Sequence, residues 1–250
     1  MAAVSIRPAE SHADLHACID LQRAVWGLDD LNLVPFHHLH TAHEWGGRVL
    51  VAEDQGRIVG FCYGFGGRQY GRPALLSHML AVLPEYRGQG LGAELKLAQG
   101  RWARSEGYEL ITWTYDPLEA VNAGLNIARL GGIVRRYLVN HYGEMTDGLN
   151  RGLPSDRLLL EWHLRSPRVE AILDGAAPPP LPAPALRCEV PFGFQRIKRQ
   201  DPPGAMAWRM RVRETLTRAL AEGYIITSFE QSDEAGFYGL SREEEPLDAD

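Results

Sequence analysis

The sequence predicts an α/β (α+β) fold, and three observations lead to that prediction. Apolar runs of strand length alternate with amphipathic runs of helix length along most of the chain. Residues 79–83 form one such apolar run, and a glycine-rich turn joins it to the helical run 91–105. Near the end of the chain, one helical stripe precedes two short strand-like runs. We therefore expect a sheet with flanking helices, followed by a small αβ extension.

The predicted domain boundaries follow from a change in composition. The segment 175–184, GAAPPPLPAP, is too rich in proline for a helix or a strand and is typical of a semi-rigid linker. We expect a main domain over residues 1–170, a linker over 171–186 and a small αβ extension over 187–250. Because about sixty residues are marginal as an independent fold, we expect the extension to dock on the main domain or on a partner subunit.

Composition limits the possible classes of function. The 250 residues are 45% hydrophobic and 23% charged, with a formal net charge of −6. These values are ordinary for a globular protein and argue against a nucleic-acid coat. No apolar run has membrane-spanning length, and the start MAAVSIRPAE lacks the pattern of a signal peptide. We therefore predict a cytoplasmic protein with no membrane and no nucleic-acid partner. The acidic end, residues 243–250, is predicted to be a solvated tail.

The cysteines and histidines do not predict a metal site. Reduced structural roles are predicted for the three cysteines, which lack the spacing of metal ligands: Cys18, Cys62 and Cys188. Four histidines fall in the predicted helix 35–45, where His40 and His43 share a face, but no carboxylate or cysteine completes a ligand set. We expect this face to be solvated or to line a substrate pocket.

The predicted elements of the main domain are seven strands and four helices. The strands are predicted at residues 4–6, 48–53, 57–65, 75–83, 108–115, 133–138 and 157–164. The helices are predicted from residue 11 or 12 to Gly27, and at 35–45, 91–105 and 119–130. The extension is predicted to hold a helix at 204–222 and strands at 224–229 and 237–240. The glycines at positions 64, 66 and 67 are expected to end the third strand.

The segment Arg87-Gly88-Gln89-Gly90-Leu91-Gly92 lies between a predicted strand and a predicted helix and indicates an anion-binding turn. Backbone N–H groups of such a turn and of the helix N-terminus converge, and glycines let a phosphate approach without meeting a Cβ atom. The turn lacks the Lys-Ser/Thr pair of a Walker loop, and its G-x-G-x-G spacing misplaces the third glycine of a dinucleotide fingerprint. A plain strand-to-helix corner is the alternative interpretation.

The turn fits the pattern Q/R-x-x-G-x-G/A, with Arg87, Gly90 and Gly92 at its defining positions. With this pattern the sequence resembles the GNAT superfamily of acyl-CoA-dependent N-acyltransferases. The resemblance covers residues 4–165 and includes LSHMLAVLPEYRGQGLGAELK, WTYDPLEAVNAGLNIARLGG and PSDRLLLEW. It implies a mixed, mostly antiparallel central sheet with flanking helices, and acyl-CoA as co-substrate. It also implies that the turn holds the pyrophosphate of coenzyme A, and that the fourth strand carries a bulge and splays from the fifth.

The resemblance also implies cofactor contacts on the fourth strand. A backbone N–H at Leu80 or its neighbour would donate to the oxyanion, and the N–H groups that follow would pair with pantetheine as an added strand would. Two asparagines at i, i+4 spacing are predicted to share a helix face beside the cofactor. The predicted cofactor-binding residues are Leu80, Ala81, Val82, Arg87, Gly88, Gln89, Gly90, Leu91, Gly92, Asn122 and Asn126.

Two residues are candidates for the general base. His78 precedes the predicted oxyanion donor on the same strand, and the ordinary histidine pKa near 6.5 suits proton removal around neutrality. A hydrogen-bonded structural histidine is the alternative interpretation. Asp116 follows the fifth strand and is the second candidate, although its place before Pro117 is equally typical of a turn former.

The acid that would protonate the leaving thiolate departs from the family pattern. Many members of the resembled superfamily carry a tyrosine where this sequence has Ile127. Tyr142 and Tyr137 are candidates to replace it. A thiolate also leaves without protonation, because free thiols have a pKa near 8.5.

The candidate acceptor-binding residues are Trp26, Asp156 and Arg157. Arginine recognises carboxylates in a planar, bidentate manner, which would suit an amino acid or a dicarboxylic acyl group. A surface ion pair between the aspartate and the arginine is the alternative interpretation.

The sequence as a whole predicts N-acylation of a small-molecule amine, most plausibly an amino acid, by acetyl-CoA or succinyl-CoA, in a homodimer without a metal. Two other classes stay open. The first is a non-catalytic CoA-binding or sensing module, which the isoleucine at position 127 favours. The second is a protein N-acetyltransferase. The helix predicted at 204–222 carries an apolar stripe that begins at Trp208 and must be covered by docking.

Overall fold

The computed structural model describes residues 4–145 and 151–242, so the predicted acidic tail lies outside the described residues. The chain divides into two compact units, Met1–Thr112 and Trp113–Asp250. Within the described parts, none of the helices has both the length and the apolar character that a membrane span requires.

The first unit combines five strands with three helices. Its strands are β1 (Ser5–Pro8), β2 (Arg48–Asp54), β3 (Arg57–Gln69), β4 (Arg72–Val82) and the start of β5 (Leu110–Tyr115). Its helices are α1 (His12–Trp26), α2 (Phe36–Glu44) and α3 (Leu91–Ser105), with a single 3₁₀ turn at Pro84–Tyr86. The strand order is β1-β2-β3-β4-β5, in which β1 to β4 are antiparallel neighbours and β5 lies parallel to β4.

Helix α1 has a capping residue at each end, as its sequence predicts. The Ser11 side chain accepts from the backbone N–H of Asp14, and the Asp14 carboxylate accepts from the backbone N–H of Ser11 in return. Gly27 ends the helix with φ of 64°, a left-handed conformation that glycine adopts without strain. Arg7 donates to both Asp14 and Glu53, and so links β1 to α1 and to β2.

The glycine run in β3 does not end the strand, so this expectation was wrong. β3 continues to Gln69 and pairs with β4 from Gly60 to Gln69. A Cβ atom on Gly64 would lie 3.0 Å from the Leu76 carbonyl oxygen, and one on Gly66 would lie 2.8 Å from the Tyr108 hydroxyl. Glycine is therefore used here for the close approach of neighbouring groups, a role that a sequence pattern does not distinguish from a break.

The core of the first unit is formed by apolar side chains of the sheet and of all three helices. Its largest fully buried members are Phe61, Tyr63, Leu39 and Leu95. Cys18 and Cys62 belong to this core and are free thiols, which agrees with the structural role predicted for them.

The second unit contains the end of β5, five further strands and four helices. The strands are β6 (Ile133–Leu138), β7 (Arg157–His163), β8 (Leu186–Pro191), β9 (Tyr224–Gln231) and β10 (Ala235–Arg242). The helices are α4 (Ala120–Ala123), α5 (Pro167–Leu173), α6 (Phe194–Gln200) and α7 (Pro202–Ala221). The strand order is β5-β7-β6-β9-β10-β8.

The predictions for the second unit need several corrections. The helix expected over 119–130 begins as α4 but continues as a π-helical segment, Gly124–Arg129, the helix type characterised by bonds to a carbonyl five residues earlier. α5, β8 and α6 were not predicted. Each of them has at most seven residues, so none offers enough repeats for a periodic pattern.

The extension shares one hydrophobic core with β6 and β7. Val134 of β6 pairs with Ile226 of β9 in an antiparallel register. The core contains Leu158 of β7 together with Val212 and Leu216 of α7. The predicted boundaries of the main domain, linker and extension stay a prediction. The linker segment has neither helix nor strand over residues 176–184.

Two ion pairs join α7 to the residue after β5 and to the residue before β7. Arg209 donates through both terminal nitrogens to Asp116, with 2.8 Å from Nη1 to Oδ1. Arg213 donates to both oxygens of Asp156 at 2.8 Å. The Arg209 side chain is 2% exposed and that of Asp116 13%, so water screens this pair weakly.

The buried pair predicts a stability difference between two arginine variants. Arg209→Met leaves the Asp116 carboxylate without its bidentate partner, so we expect a loss of about 3 kcal/mol in the free energy of unfolding. Arg187→Met is the matched control, because Arg187 pairs with Glu230 at an exposed site and should cost less than about 1 kcal/mol. Urea denaturation of the two variants measures both values. Equal losses would contradict the assignment.

Candidate active site

The predicted anion-binding turn has the geometry of a backbone cradle. Gly88 and Gly90 have φ of 74° and 84°, left-handed values that disfavour other residues. The carbonyl of Gly90 accepts from Ala93 and Glu94, so these are the first bonds of α3. The N–H groups of Leu91 and Gly92 precede the first closed turn and lack an acceptor four residues earlier within the helix. A Cβ atom on Gly88 would meet nothing within 4 Å, so the turn has open space for a ligand.

Two side chains stabilise the turn by donating hydrogen bonds to backbone carbonyls. The Nε atom of Arg87 donates to the carbonyl of Val82 at 3.0 Å, and Nε2 of Gln89 donates to the carbonyl of Glu85 at 3.1 Å. Arg87 is exposed, so its positive charge lies at the rim of the cradle. A cradle of N–H groups with a cation at its rim is suited to a phosphate, and its residues therefore fit the pyrophosphate of coenzyme A.

Strand β4, which precedes the turn, is bulged at His78. Met79 pairs with Tyr63 and Ser77 pairs with Gly64, so His78 is the extra residue. A bulge leaves the extra residue without a partner in the ladder and redirects its side chain. The resemblance implied a bulge on this strand, and the structure locates it one residue before Met79 and two before Leu80.

The other edge of β4 has a short pairing with β5. Leu75 pairs with Ile111 and Leu76 with Thr112, and among the described residues the parallel register ends there. Leu80, Ala81 and Val82 pair with β3 on the first edge, at Cys62, Phe61 and Gly60 in that order. Their predicted contacts with pantetheine and with the oxyanion need the second edge of β4 and stay predictions.

His78 is exposed but lies against aromatic rings. Its ring centroid is 6.0 Å from that of Tyr63 and 5.9 Å from that of Phe65, both in edge-to-face geometry. His38 contacts the same two rings at 5.9 and 5.7 Å. Partial desolvation, with a smaller effect of His38, lowers the pKa of His78 below its ordinary value of 6.5. The imidazole is therefore neutral at pH 7 and can accept a proton.

Trp26 is the one predicted acceptor-binding residue in the first unit. It is half-buried, and its ring meets the edge of Phe61 at 6.5 Å within the core of the unit. Its proposed role in binding the acceptor stays a prediction.

Asp116, in the second unit, has the geometry of a structural carboxylate. Besides the two donors of Arg209, its Oδ1 atom accepts from the backbone N–H of Leu118 at 2.8 Å. This bond is the side-chain turn that a residue before Pro117 favours. Both carboxylate oxygens are therefore engaged by structural donors. The geometry therefore favours the turn-former interpretation over a general base.

The two tyrosine candidates differ in their surroundings. Tyr137 is half-buried and its hydroxyl donates to Asp156 at 2.6 Å, and this bond together with burial raises the pKa of the phenol. It is therefore a poor donor to a thiolate. Tyr142 is 52% exposed, and its hydroxyl lies 2.8 Å from that of Thr114 at the end of β5. Its exposure favours Tyr142 over Tyr137 as the candidate acid, and the role stays a prediction.

Asp156 and Arg157 are buried, so they are not a surface ion pair. The carboxylate of Asp156 accepts from Arg213, Tyr137 and the backbone N–H of Asn140. Arg157 donates to the carbonyl of Asp156 at 2.8 Å, and its guanidinium lies 5.3 Å from the ring centre of Tyr142. Their predicted contact with an acceptor stays a prediction.

Asn122 is exposed and Asn126 is buried, and the helix changes to π geometry between them. Their predicted contacts with the cofactor stay predictions. Ile127, which replaces the family tyrosine, is fully buried in the core of the second unit. Within the described residues, no three His, Cys, Asp or Glu side chains are grouped in a way that would hold a metal ion.

Sequence reasoning missed three buried polar residues beneath β4. Ser77, Lys96 and Gln99 bond to one another between β4 and α3. The signal was present, because Lys96 and Gln99 are three residues apart on the helix face that also buries Leu95 and Ala103. Two polar side chains on a buried helix face predict a hydrogen-bonding side chain on the facing strand.

A glycine cradle after a bulged strand, on a mostly antiparallel sheet with flanking helices, is the arrangement that the resemblance to acyl-CoA-dependent acyltransferases implied. Residues 45–124 match the family described as "Acetyltransferase (GNAT) domain". Over these residues the chain therefore carries a GNAT acetyltransferase domain, the domain of an acyl-CoA-dependent N-acyltransferase. No curated protein matches its sequence.

Several solved structures share the fold. The ribosomal-protein-S18-alanine N-acetyltransferase from Escherichia coli is 15% identical, with 66% of this chain and 96% of that chain covered and a TM-score of 0.52. The yncA protein from Salmonella typhimurium, in a structure with its cofactor acetyl-CoA, is 20% identical, with 66% and 96% covered and a TM-score of 0.52. Aminoglycoside 6'-acetyltransferase type Ii is 16% identical, with 65% and 98% covered and a TM-score of 0.52. At these identities the likeness concerns the fold.

The cradle predicts that CoA binding is lost in Gly90→Val. The new side chain stands at a left-handed residue of the cradle and obstructs the pyrophosphate, so we expect CoA affinity to fall at least about 100-fold. Gly107→Val is the matched control. Gly107 has φ of 86° just beyond the other end of α3, and a Cβ atom there meets nothing within 4 Å. Calorimetric titration with CoA compares the two. Similar affinities in both variants would contradict the cradle.

The surroundings of His78 predict the acid limb of the pH–rate profile. Because the pKa of His78 is lowered, kcat/KM should fall only below the ordinary histidine value of about 6.5. His38→Gln removes a group that lowers this pKa, so the limb should move to higher pH. His78→Asn should lose about 100-fold in rate, together with the limb. An unchanged limb in the His78 variant would exclude His78 as the base.

Proposed function

We propose that the protein transfers an acyl group from acyl-CoA to the amine of a small molecule, with an amino acid as the first candidate acceptor. One observation carries the proposal, namely that the first unit holds a phosphate cradle and an exposed neutral histidine on the same strand-turn-helix segment. Acetyl-CoA is the proposed donor, and succinyl-CoA is the second. The likeness to a structure that holds acetyl-CoA supports a CoA thioester.

The proposed chemistry needs a base, an oxyanion donor and a leaving thiolate. His78 would take a proton from the acceptor ammonium, and the free amine would then attack the thioester carbonyl carbon. A backbone N–H near Leu80 would donate to the oxygen as its negative charge develops. The C–S bond then breaks, the CoA thiolate leaves with a proton from water, and the second proton lost by the attacking nitrogen returns to the resulting hydroxide. The products are an amide and free CoA.

Specific observations support the choice of a small acceptor. The rings around His78 belong to Tyr63, Phe65 and His38 and carry no formal negative charge at neutral pH, so this site offers no charge to attract a lysine-rich tail. One fold neighbour is named for a small-molecule acceptor, an aminoglycoside.

Two other functions each have one observation in their favour. Ile127, buried where the resembled family has a tyrosine, favours a module that binds CoA without turnover. The likeness to an enzyme named for the alanine of a ribosomal protein favours an acceptor on a protein. A homodimer and a cytoplasmic location are also proposed from the sequence, and light scattering of the purified chain would test the dimer.

The deciding experiment is an acceptor panel with thiol detection. Acetyl-, propionyl- and succinyl-CoA are each incubated with amino acids, other small amines and lysine-containing peptides, and free CoA is measured. We expect thiol release above hydrolysis with at least one small amine, and its loss in His78→Asn. Release with peptides alone would favour the protein acceptor. CoA binding without release from any partner would favour the module.

A further inference from the structure

A buried polar cluster, defined as Ser77, Lys96 and Gln99, connects β4 to α3 beneath the bulge. The ammonium of Lys96 donates to the hydroxyl of Ser77 at 2.7 Å and to Oε1 of Gln99 at 2.9 Å. The Ser77 hydroxyl donates to the same oxygen of Gln99 at 2.8 Å. All three residues are at most 8% exposed. The cluster thus forms a closed triangle of hydrogen bonds.

The cluster acts on the residue immediately before the bulge. Ser77 is the last β4 residue in register before the extra residue His78. Its partner across the ladder is Gly64, where a Cβ atom would lie 3.0 Å from Nε2 of Gln99. Glycine at this position therefore lets the α3 side chain reach the strand. The side chains of Ser77 and His78 are adjacent in sequence but have different neighbours, α3 in one case and aromatic rings in the other.

Burying the Lys96 ammonium costs free energy, which argues that the cluster has a role beyond packing. Burial lowers the pKa of Lys96 to about 8, because the charged form is poorly solvated there. The Lys96 hydrogen bonds described above go to two neutral oxygens. An apolar side chain of similar length would avoid the desolvation cost, and the serine hydroxyl would still donate to Gln99.

We infer that Lys96 and Gln99 are positioning residues that clamp Ser77 and so fix the β4 bulge, which sets His78 and the backbone N–H groups after it. This inference rests on the proposed function, in which the same strand supplies the base and the oxyanion donor. Two tethers on one hydroxyl restrict the start of the bulge. Without Lys96 the strand keeps one tether, and small displacements of reacting groups are costly in rate.

The test compares isosteric variants of the full-length chain with acetyl-CoA and the amine identified by the panel. Lys96→Met and Gln99→Leu should lower kcat by about 10- to 100-fold and leave KM for acetyl-CoA nearly unchanged. Gln99→Glu keeps an acceptor for both partners and should restore most of kcat. Lys198→Met is the control for loss of a lysine. The melting temperature of Lys96→Met should not fall, because a buried charge is removed.

A second measurement decides the inference without turnover. Amide hydrogen exchange of residues 77–80 should become faster in Lys96→Met and Gln99→Leu, while the other amides of β3 and β4 stay unchanged. If both variants keep the wild-type kcat and the wild-type amide exchange, the inference is overturned. A loss of kcat that is explained by a lower melting temperature would also overturn it. If the wild-type chain shows no turnover, the proposed function fails, and the exchange result still decides whether the cluster fixes the bulge.

Discussion

The proposed site in the first unit depends on backbone N–H groups at two places where regular hydrogen bonding stops. β4 contains a residue outside the ladder at His78, and α3 begins after two glycines in left-handed conformations. In both places, donors that a continuous strand or helix would satisfy internally are left for a ligand. The cradle and the bulge therefore share one requirement, which is that backbone N–H groups stay outside the regular hydrogen bonding of a strand or a helix. The Arg87 and Gln89 side chains, which donate back to the chain, keep the turn in the conformation that this requires.

Glycine has two different roles in the first unit. Gly88 and Gly90 have left-handed dihedral angles that other residues adopt only with strain. Gly64 and Gly66 have ordinary strand geometry and are needed because a neighbouring group lies within 3.0 Å of where a Cβ atom would be. The sequence pattern predicts the first use, because turns have a local signature. The second use depends on the packing of distant residues, so the expected strand break was wrong.

Sequence reasoning was most accurate where the determining interactions are local. The caps of α1, the extent of α3 and the cradle all follow from residues within a few positions of one another. It failed where the partner is far along the chain. Asp116 and Arg209 are 93 positions apart, and their ion pair favours the turn-former interpretation of Asp116 over the general base. The change to π geometry after Ala123 likewise has no local signature that separates it from an α-helix.

The extension is folded into the core of the second unit by both polar and apolar contacts of α7. Arg209 and Arg213 lie four residues apart on α7 and pair with carboxylates that follow β5 and precede β7. One turn of helix thus fixes two points of the unit. Val212 and Leu216 lie one turn apart on α7 and pack into the hydrophobic core of the unit. The polar and apolar contacts of α7 therefore support the same placement.

The central claim is that residues of β4 and of the turn before α3 form the CoA site. Amide NMR of the isotope-labelled chain, titrated with CoA, tests it most directly, because backbone N–H groups are the proposed ligands. The account predicts that the largest shift changes fall on residues 88–93 and 78–82, with saturation at one equivalent. Saturable shifts confined to other residues, with these two segments unchanged, would contradict it.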